Sequence, residues 1–216
     1  MSAARDAILA RIRAAREDGE PEPVASEPPR GYRAHGETSA QALVEQLVER
    51  LLEYRASVRR ATEMSLDAAI GAALQERGVR RLVVPADLPN EWLPKELRIL
   101  RDSGKLSPNE VGECDGVLTG CALAIAQTGT LALDHGARQG RRLLSLLPDY
   151  HLCVLFADQI VGLVPEAMPG MEAAARAGRP LTLISGPSAT SDIELSRVEG
   201  VHGPRTLEVV VVESRR

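Results

Sequence analysis

The chain has 216 residues, which is enough for one sizeable domain with at most a small appendage. Aromatic residues make up only 2% and the formal net charge is -4, which excludes a nucleic-acid platform of stacked rings and a chain-wide basic surface. The cysteines, Cys114, Cys121 and Cys153, are too widely spaced for a disulfide framework or a cysteine-only metal site. No apolar run has the length of a membrane span and no leader of signal-peptide form is present, so we expect a soluble cytoplasmic protein.

The first 38 residues are predicted to form an appendage. Ile8, Leu9 and Ile12 lie on one face of a predicted helix over residues 3–16, and arginines occupy much of the remaining surface. Residues 17–37 are acidic and rich in proline, a composition typical of a linker. Such a helix commonly packs on its own domain; the alternative is that it docks on a partner or a membrane surface.

A succession of helices and strands begins after the linker. Thr38 and Gln41 have the spacing of a capping box for a helix that is predicted to run to about Arg60. A second apolar stripe with a period of four residues ends at Gly78, which suits a left-handed stop. A predicted strand over residues 81–85 follows directly. This succession predicts an α/β domain with a mostly parallel sheet.

Seven further segments are predicted strands. They cover residues 116–119, 123–126, 131–133, 152–156, 159–164, 181–185 and 207–212. The last segment contains an unbroken β-branched run that is apolar on both faces. That pattern predicts a strand covered by helices on both sides rather than an edge strand.

Residues 186–194, with the sequence Gly-Pro-Ser-Ala-Thr-Ser-Asp-Ile-Glu, form the most informative segment. They follow the predicted strand 181–185, and ligands of open α/β sheets bind at the carboxyl ends of strands. Gly186 permits a sharp turn, while Ser188 and Thr190 offer hydroxyls beside backbone N–H groups. These features predict an anion-binding loop.

A histidine follows this loop in the Gly-Val-His-Gly-Pro segment at residues 200–204. His202 titrates near neutral pH and can exchange a proton with an acid bound nearby. The alternative is a turn-rich connection with a structural histidine, and the residue types alone do not decide between the two. His151 lies against a predicted buried strand and is assigned no role.

A second segment of small residues, 125–131, separates two predicted strands. The hydroxyls and amides of Thr128, Gly129 and Thr130 can form an anion nest, although a polar hairpin is the commoner structure for such a segment. Cationic side chains that can balance the charge of a substrate come next. They are His135, Arg141 and Arg142.

Several of these motifs together resemble the LUD domain family of the lactate utilisation protein C (LutC/YkgG) type. The matching motifs are the Ala-x-Thr-Gly-Thr segment at 126–130, Leu-Leu-Pro at 146–148, and the segments 186–194 and 200–204. The resemblance identifies residues 39–216 as a single LUD domain. It implies an α/β fold with a central, mostly parallel sheet flanked by helices, similar to the NagB/RpiA/CoA-transferase-like fold.

The resemblance also implies a function. It indicates a component of a bacterial system that oxidises L-lactate to pyruvate and that binds a small carboxylate or another anion. The resemblance implies that sister subunits carry the iron–sulfur clusters, which fits the lack of a cluster-ligand pattern in this sequence. No nucleotide-binding pattern is present either, and no intrinsic cofactor, metal or nucleic-acid partner is expected. The residues carried over by position are Thr128, Gly129, Thr130, Gly186, Ser188, Thr190, Asp192, Glu194, His202 and Gly203.

Gln127 departs from the pattern of relatives that carry an acidic residue at this position. An amide cannot exchange protons, so catalysis would rest on His202, Asp192 and Glu194. One alternative is a non-catalytic assembly or regulatory subunit of the lactate-oxidising complex. Another is an enzyme that acts on a phosphorylated or thioester substrate.

Overall fold

The computed structural model describes residues 3–17, 31–190, 198–199 and 203–213. The chain divides into two compact units, Met1–Arg33 and Ala34–Arg216. The first unit contains α1 (Ala3–Glu17), which confirms the predicted amphipathic helix. Among the described residues, no helix has both the length and the apolar character that a membrane crossing requires.

The second unit contains a six-stranded sheet in which all neighbouring strands are parallel, with the order β1-β12-β7-β4-β2-β3. The elements in chain order are α2 (Ala40–Glu53), β1 (Ser57–Ala61), α3 (Leu66–Glu76), β2 (Arg81–Pro85), β3 (Arg98–Asp102), α4 (Pro108–Gly112), β4 (Gly116–Gly120), β5 (Leu123–Ile125), β6 (Thr130–Leu133), β7 (Tyr150–Phe156), β8 (Ile160–Val161), α5 (Val164–Arg176), β9 (Thr182–Ile184), β10 (Ala189–Thr190), β11 (Val198–Glu199) and β12 (Thr206–Val212). The predicted α/β class with a mostly parallel central sheet is confirmed.

Strand β12 lies between β1 and β7 and is buried on both faces. Val210 and Val212 pack in the same cluster as the apolar residues of α3. Val209 and Val211 pack on the other face, in the cluster that contains the apolar residues of α2. The β-branched run near the C-terminus is therefore a central strand, as its composition predicts.

A smaller sheet, with the order β8-β5-β6-β9, lies on the α2 side of the main sheet. Ala124 and Leu131 of this sheet belong to the same apolar cluster as α2 and β12. Ala167 and Met171 of α5 pack against its other face. Because β9 belongs to this smaller sheet, the residues after it do not follow a strand of the six-stranded parallel sheet. The expected placement of the 186–194 segment at the carboxyl edge of that sheet is therefore wrong for its described residues, 186–190.

Helix α2 differs from its prediction at both ends. Ser39, not Thr38, caps its first turn by accepting a hydrogen bond from the Ala42 amide at 3.4 Å. The helix ends at Glu53 rather than near Arg60. Arg55 adopts a left-handed conformation with φ 66° and reverses the chain, so residues 57–61 form β1 beside β12.

The predicted strand 159–164 is also mostly wrong. Only Ile160–Val161 form a strand, and α5 begins at Val164. Pro165 occupies the first turn of α5, where a missing N–H costs nothing, and Pro169 is accommodated inside the helix. By contrast, Gly78 ends α3 with φ 65°, as predicted.

Candidate functional site

A cavity of about 290 Å³ lies between the starts of two central strands and the end of the smaller sheet. His151 of β7 and Leu207 of β12, which are paired in the sheet, form one side. The short helix Arg142–Ser145 forms a second side, and β9 with residues 185–188 forms a third. The cavity therefore lies over the amino-terminal part of β7 and β12, on the face that also carries α2.

The two motifs predicted to act together do meet at this cavity. Gly186 and Ser188 of the first motif and Gly203 and Pro204 of the second all line it. The Ser188 amide donates a 2.8 Å hydrogen bond to the Pro204 carbonyl, which fastens one motif to the other. That amide is used inside the protein, so a contribution of Ser188 to anion binding rests on its side chain.

Gly186 packs against the C-terminal end of α2. Its φ of 92° is in the region that favours glycine, and a Cβ atom there would lie 2.7 Å from Tyr54 Cβ and 3.1 Å from Tyr54 O. A larger residue is excluded by backbone conformation and by contact with the main chain. This close approach fixes where the 186–188 loop begins.

Thr128 and Gly129 lie in the turn between β5 and β6, and Thr130 is the first residue of β6, so the polar hairpin that the sequence favours is confirmed. Thr128 Oγ1 lies 2.8 Å from Thr130 Oγ1, which in turn lies 2.7 Å from Ser185 Oγ. This chain of hydroxyls connects the hairpin to the cavity through Ser185, which lines it. The three hairpin residues are not among the described residues that line the cavity.

The predicted catalytic residues Asp192, Glu194 and His202 lie outside the described residues, as does the side chain of Thr190. The backbone of β10 pairs with β11 in an antiparallel ribbon, with Thr190 opposite Val198. The assignment of Asp192, Glu194, His202 and Thr190 to the site stays a prediction.

Arg142 gives the described lining of the cavity a positive charge. Arg142 is exposed, lines the cavity, and makes no ion pair or side-chain hydrogen bond with any residue the structure describes. No aspartate or glutamate occurs among the described lining residues. The adjacent Arg141 is different, because its Nε donates to Asp102 Oδ2 at 2.7 Å in an ion pair with a buried carboxylate.

His151 is a cavity residue that the sequence did not reveal. Its side chain is 1% exposed, and its Nε2 lies 2.8 Å from Thr119 Oγ1, a hydroxyl that is also fully buried. Burial lowers the pKa of His151 to about 4, so the imidazole is neutral near pH 7. The sequence around a histidine in an apolar strand does not indicate that its ring faces a cavity, because this cavity forms only when segments distant in the sequence meet.

His135 holds one wall of the cavity in place. Its Nδ1 lies 2.8 Å from the Gly140 carbonyl and its Nε2 lies 2.8 Å from Thr182 Oγ1. Thr182 lines the cavity, whereas His135 does not. Both ring nitrogens contact the protein, so the structure gives His135 a role in positioning Thr182, and its role in balancing the charge of a substrate stays a prediction.

Comparisons with known proteins agree with the motifs. The family model described as the LUD domain matches residues 30–212. A Deinococcus radiodurans protein named lactate utilization protein C is 56% identical over 147 residues, which cover 68% of each chain. A protein of the same name from Halalkalibacterium halodurans is 27% identical over 191 residues, covering 83% of each chain.

Two further proteins extend the similarity. The Escherichia coli protein YkgG, described as uncharacterized, is 38% identical over 93 residues, which cover 41% of this chain and 40% of that protein. The crystal structure of a DUF162 family protein from Deinococcus radiodurans matches with a TM-score of 0.71 and 45% identity, covering 81% of this chain and 99% of the other.

Proposed function

This chain belongs to the LUD domain family, and we propose that it is a component of a lactate-utilisation system that binds a small carboxylate in the cavity beside residues 186–188. The names of the Deinococcus and Halalkalibacterium relatives support the pathway. The chemistry of the cavity supports the ligand class.

The observation that carries the ligand class is the guanidinium of Arg142, which has no partner among the described residues and lies at a cavity whose described lining contains no acidic residue. Guanidinium groups bind carboxylates through paired, charge-assisted hydrogen bonds. Ser185 and Thr182 present hydroxyls to the same space, and each is already held by a hydrogen bond to Thr130 or His135. A hydroxyl has one donor and two acceptor positions, so these groups keep capacity for a ligand.

The size of the cavity favours a small molecule. Its volume of about 290 Å³ lies at the lower end of the range for ligand sites, which is roughly 300–1,000 Å³. A larger groove of about 520 Å³ lies between the end of α3 and residues 94–97. Its described lining is mostly Gly, Leu, Pro and Val, and the negative charge of Glu96, which lines it together with Arg80, disfavours a carboxylate there.

Within this proposal, oxidation of lactate releases the hydroxyl proton, which His202, with Asp192 and Glu194, would accept, and a hydride equivalent, whose two electrons and proton would pass to a cofactor or iron–sulfur cluster held by partner subunits. The cysteines of this chain do not suit cluster ligation. All three are buried, and burial raises the pKa of the Cys114 thiol. A hydrogen bond with Cys153, together with burial, raises the pKa of Cys121. Buried protonated thiols are poor metal ligands.

Calorimetric titration with L-lactate and with pyruvate tests the proposed site. We expect Arg142→Gln to weaken binding about 10- to 100-fold, because a charge-assisted contact is lost. Arg176→Gln is the matched control, since Arg176 is an exposed arginine of α5 that pairs with Glu172 outside the cavity. Equal affinities in the wild type and Arg142→Gln would contradict the site. A wild type that binds neither acid yet co-purifies with cluster-bearing partners would favour the assembly-subunit alternative.

A further inference from the structure

His151 has one ring nitrogen engaged and one without a partner. Nε2 lies 2.8 Å from Thr119 Oγ1, while no described residue forms a hydrogen bond with Nδ1. The ring lines the cavity although the residue is 1% exposed. A buried polar group without a partner is costly, so a free nitrogen at a cavity indicates a ligand or a bound water.

The free nitrogen reaches accessible space. Across the part of the chain that the structure describes, the fully buried side-chain nitrogen and oxygen atoms without a partner are Arg81 Nε and Glu213 Oε1. Nδ1 of His151 also lacks a hydrogen-bond partner among the described residues, but it is not one of these fully buried atoms. It is therefore in contact with accessible space. Because the rest of the residue is enclosed by protein, the space that Nδ1 reaches is the cavity.

The Thr119 hydroxyl determines which nitrogen carries the proton. Thr119 is fully buried, and His151 Nε2 is its side-chain hydrogen-bond partner among the described residues. If Nε2 carried the proton, the hydroxyl would accept this bond and its own proton would be buried without an acceptor. An unsatisfied buried donor costs more than an unused lone pair of a hydroxyl oxygen. Thr119 therefore donates to Nε2, and the proton of the neutral imidazole resides on Nδ1.

We propose that His151 is a ligand-binding residue whose Nδ1–H donates a hydrogen bond to a carboxylate or carbonyl oxygen of a small acid in the cavity, an inference that rests on the proposed function. Arg142 supplies the charge for the same ligand. The imidazole supplies a directional donor whose orientation is set by Thr119. The ligand class is narrowed to small acids that place an acceptor oxygen against the β7 side of the cavity.

Two substitutions of His151 separate its two contacts. The amide nitrogen of Asn occupies approximately the position of Nδ1 and can donate to a ligand, whereas the amide oxygen of Gln can occupy approximately the position of Nε2 and accept from Thr119. We expect His151→Gln to keep the contact with Thr119 and to weaken lactate or pyruvate binding about tenfold. His151→Asn is expected to bind more tightly than His151→Gln. Calorimetry at pH 7 measures both, with thermal unfolding of each variant as the check on folding.

The wild-type protein gives a second readout that does not depend on a folded variant. Long-range ¹H–¹⁵N spectra distinguish the two neutral tautomers of histidine, and we expect the Nδ1–H form for His151 and a shift of its Nδ1 resonance on addition of pyruvate. The Nε2–H form, an unmoved resonance at saturating ligand, or equal affinities for the wild type and His151→Gln would each overturn the inference while the binding site itself stands. If the wild type binds neither acid, the proposed function and this inference both fail.

Discussion

At the scale of single residues, His151 links the cavity to the stability of the protein. Burial lowers its pKa from 6.5 to about 4. In the unfolded chain the imidazole binds a proton near pH 6.5, whereas the folded state resists protonation until about pH 4. The unfolded state therefore binds more protons between these values. The stabilisation is fully present above pH 6.5 and is lost as the pH falls toward 4.

The first prediction concerns acid stability. Between pH 7 and pH 4.5 the titration of His151 should lower the free energy of unfolding of the wild type by about 2–3 kcal/mol. In His151→Gln this contribution is absent, so the free energy should fall less over the same interval. Urea unfolding of both proteins at the two pH values measures the difference. Parallel losses in the two proteins would show that His151 is not the titrating group.

Residue types alone could not separate the roles of the histidines. The sequence made His135 one of three candidates for balancing the charge of a substrate and gave His151 no role. In the structure, Thr119 is the described partner of one ring nitrogen of His151, whereas Gly140 and Thr182 contact both ring nitrogens of His135. These partners come from other elements, so local sequence does not contain them.

At the scale of elements, the hydroxyl chain joins the β5–β6 turn to the end of β9. Thr130 Oγ1 stands between Thr128 Oγ1 and Ser185 Oγ, at 2.8 and 2.7 Å. Thr130 is 5% exposed, so water cannot readily replace a lost partner. These linked hydroxyls therefore fix the position of the end of β9, where residues 185–188 begin to line the cavity.

The second prediction is that Thr130→Val destabilises the fold by about 1–2 kcal/mol, because it leaves the two neighbouring hydroxyls without their shared partner. Thr38→Val is the control, since Thr38 is exposed in the segment before α2, and we expect a change within about 0.5 kcal/mol. A double-mutant cycle with Ser185→Ala should give a coupling energy of at least about 0.5 kcal/mol. Additive effects in denaturant unfolding would show that the hydroxyls act independently.

Most strands were predictable from local pattern, and the missed elements have identifiable causes. The strand at residues 81–85 and the end of α3 at Gly78 follow from an apolar run and a left-handed glycine. The end of α2 was missed because Arg55, which has no sequence signature of a stop, takes the left-handed conformation usually given to glycine. Helix α5 was missed because Pro169 breaks the apolar pattern, although packing of Ala167 and Met171 sustains the helix.

At the scale of the whole molecule, the strand order could not be read from the sequence. The parallel α/β class follows from the alternation of elements, but the order β1-β12-β7-β4-β2-β3 places the last strand of the chain beside the first. That order depends on pairing between strands that are separated in the sequence by almost the whole length of the domain. The same long-range pairing brings residues 186–188 to the cavity from one side and His151 from the other.

Glu208 stabilises the pairing of the last strand, β12, with β1 and β7. Its side chain is 1% exposed in β12, where it forms ion pairs with Arg59 of β1 and, at 3.5 Å, with Arg77. Tyr150 of β7 donates a 3.1 Å hydrogen bond to the same carboxylate. Burial and the adjacent Glu208 charge raise the pKa of the Tyr150 hydroxyl, which keeps it protonated as a donor. One carboxylate thus connects three strands and the end of α3.

The third prediction is that Glu208→Gln lowers the free energy of unfolding by about 2–3 kcal/mol, since among the described residues Arg77 loses its acidic partner and Arg59 keeps only the exposed Glu76. Glu76→Gln is a matched control, because Glu76 pairs with the same Arg59 but its side chain is 63% exposed, and exposed pairs contribute about 0–1 kcal/mol. Urea unfolding at pH 7 compares the two variants. Equal losses would mean that burial of Glu208 adds nothing to the pairing. A larger loss for Glu208→Gln would show that the buried carboxylate holds the first and last strands together.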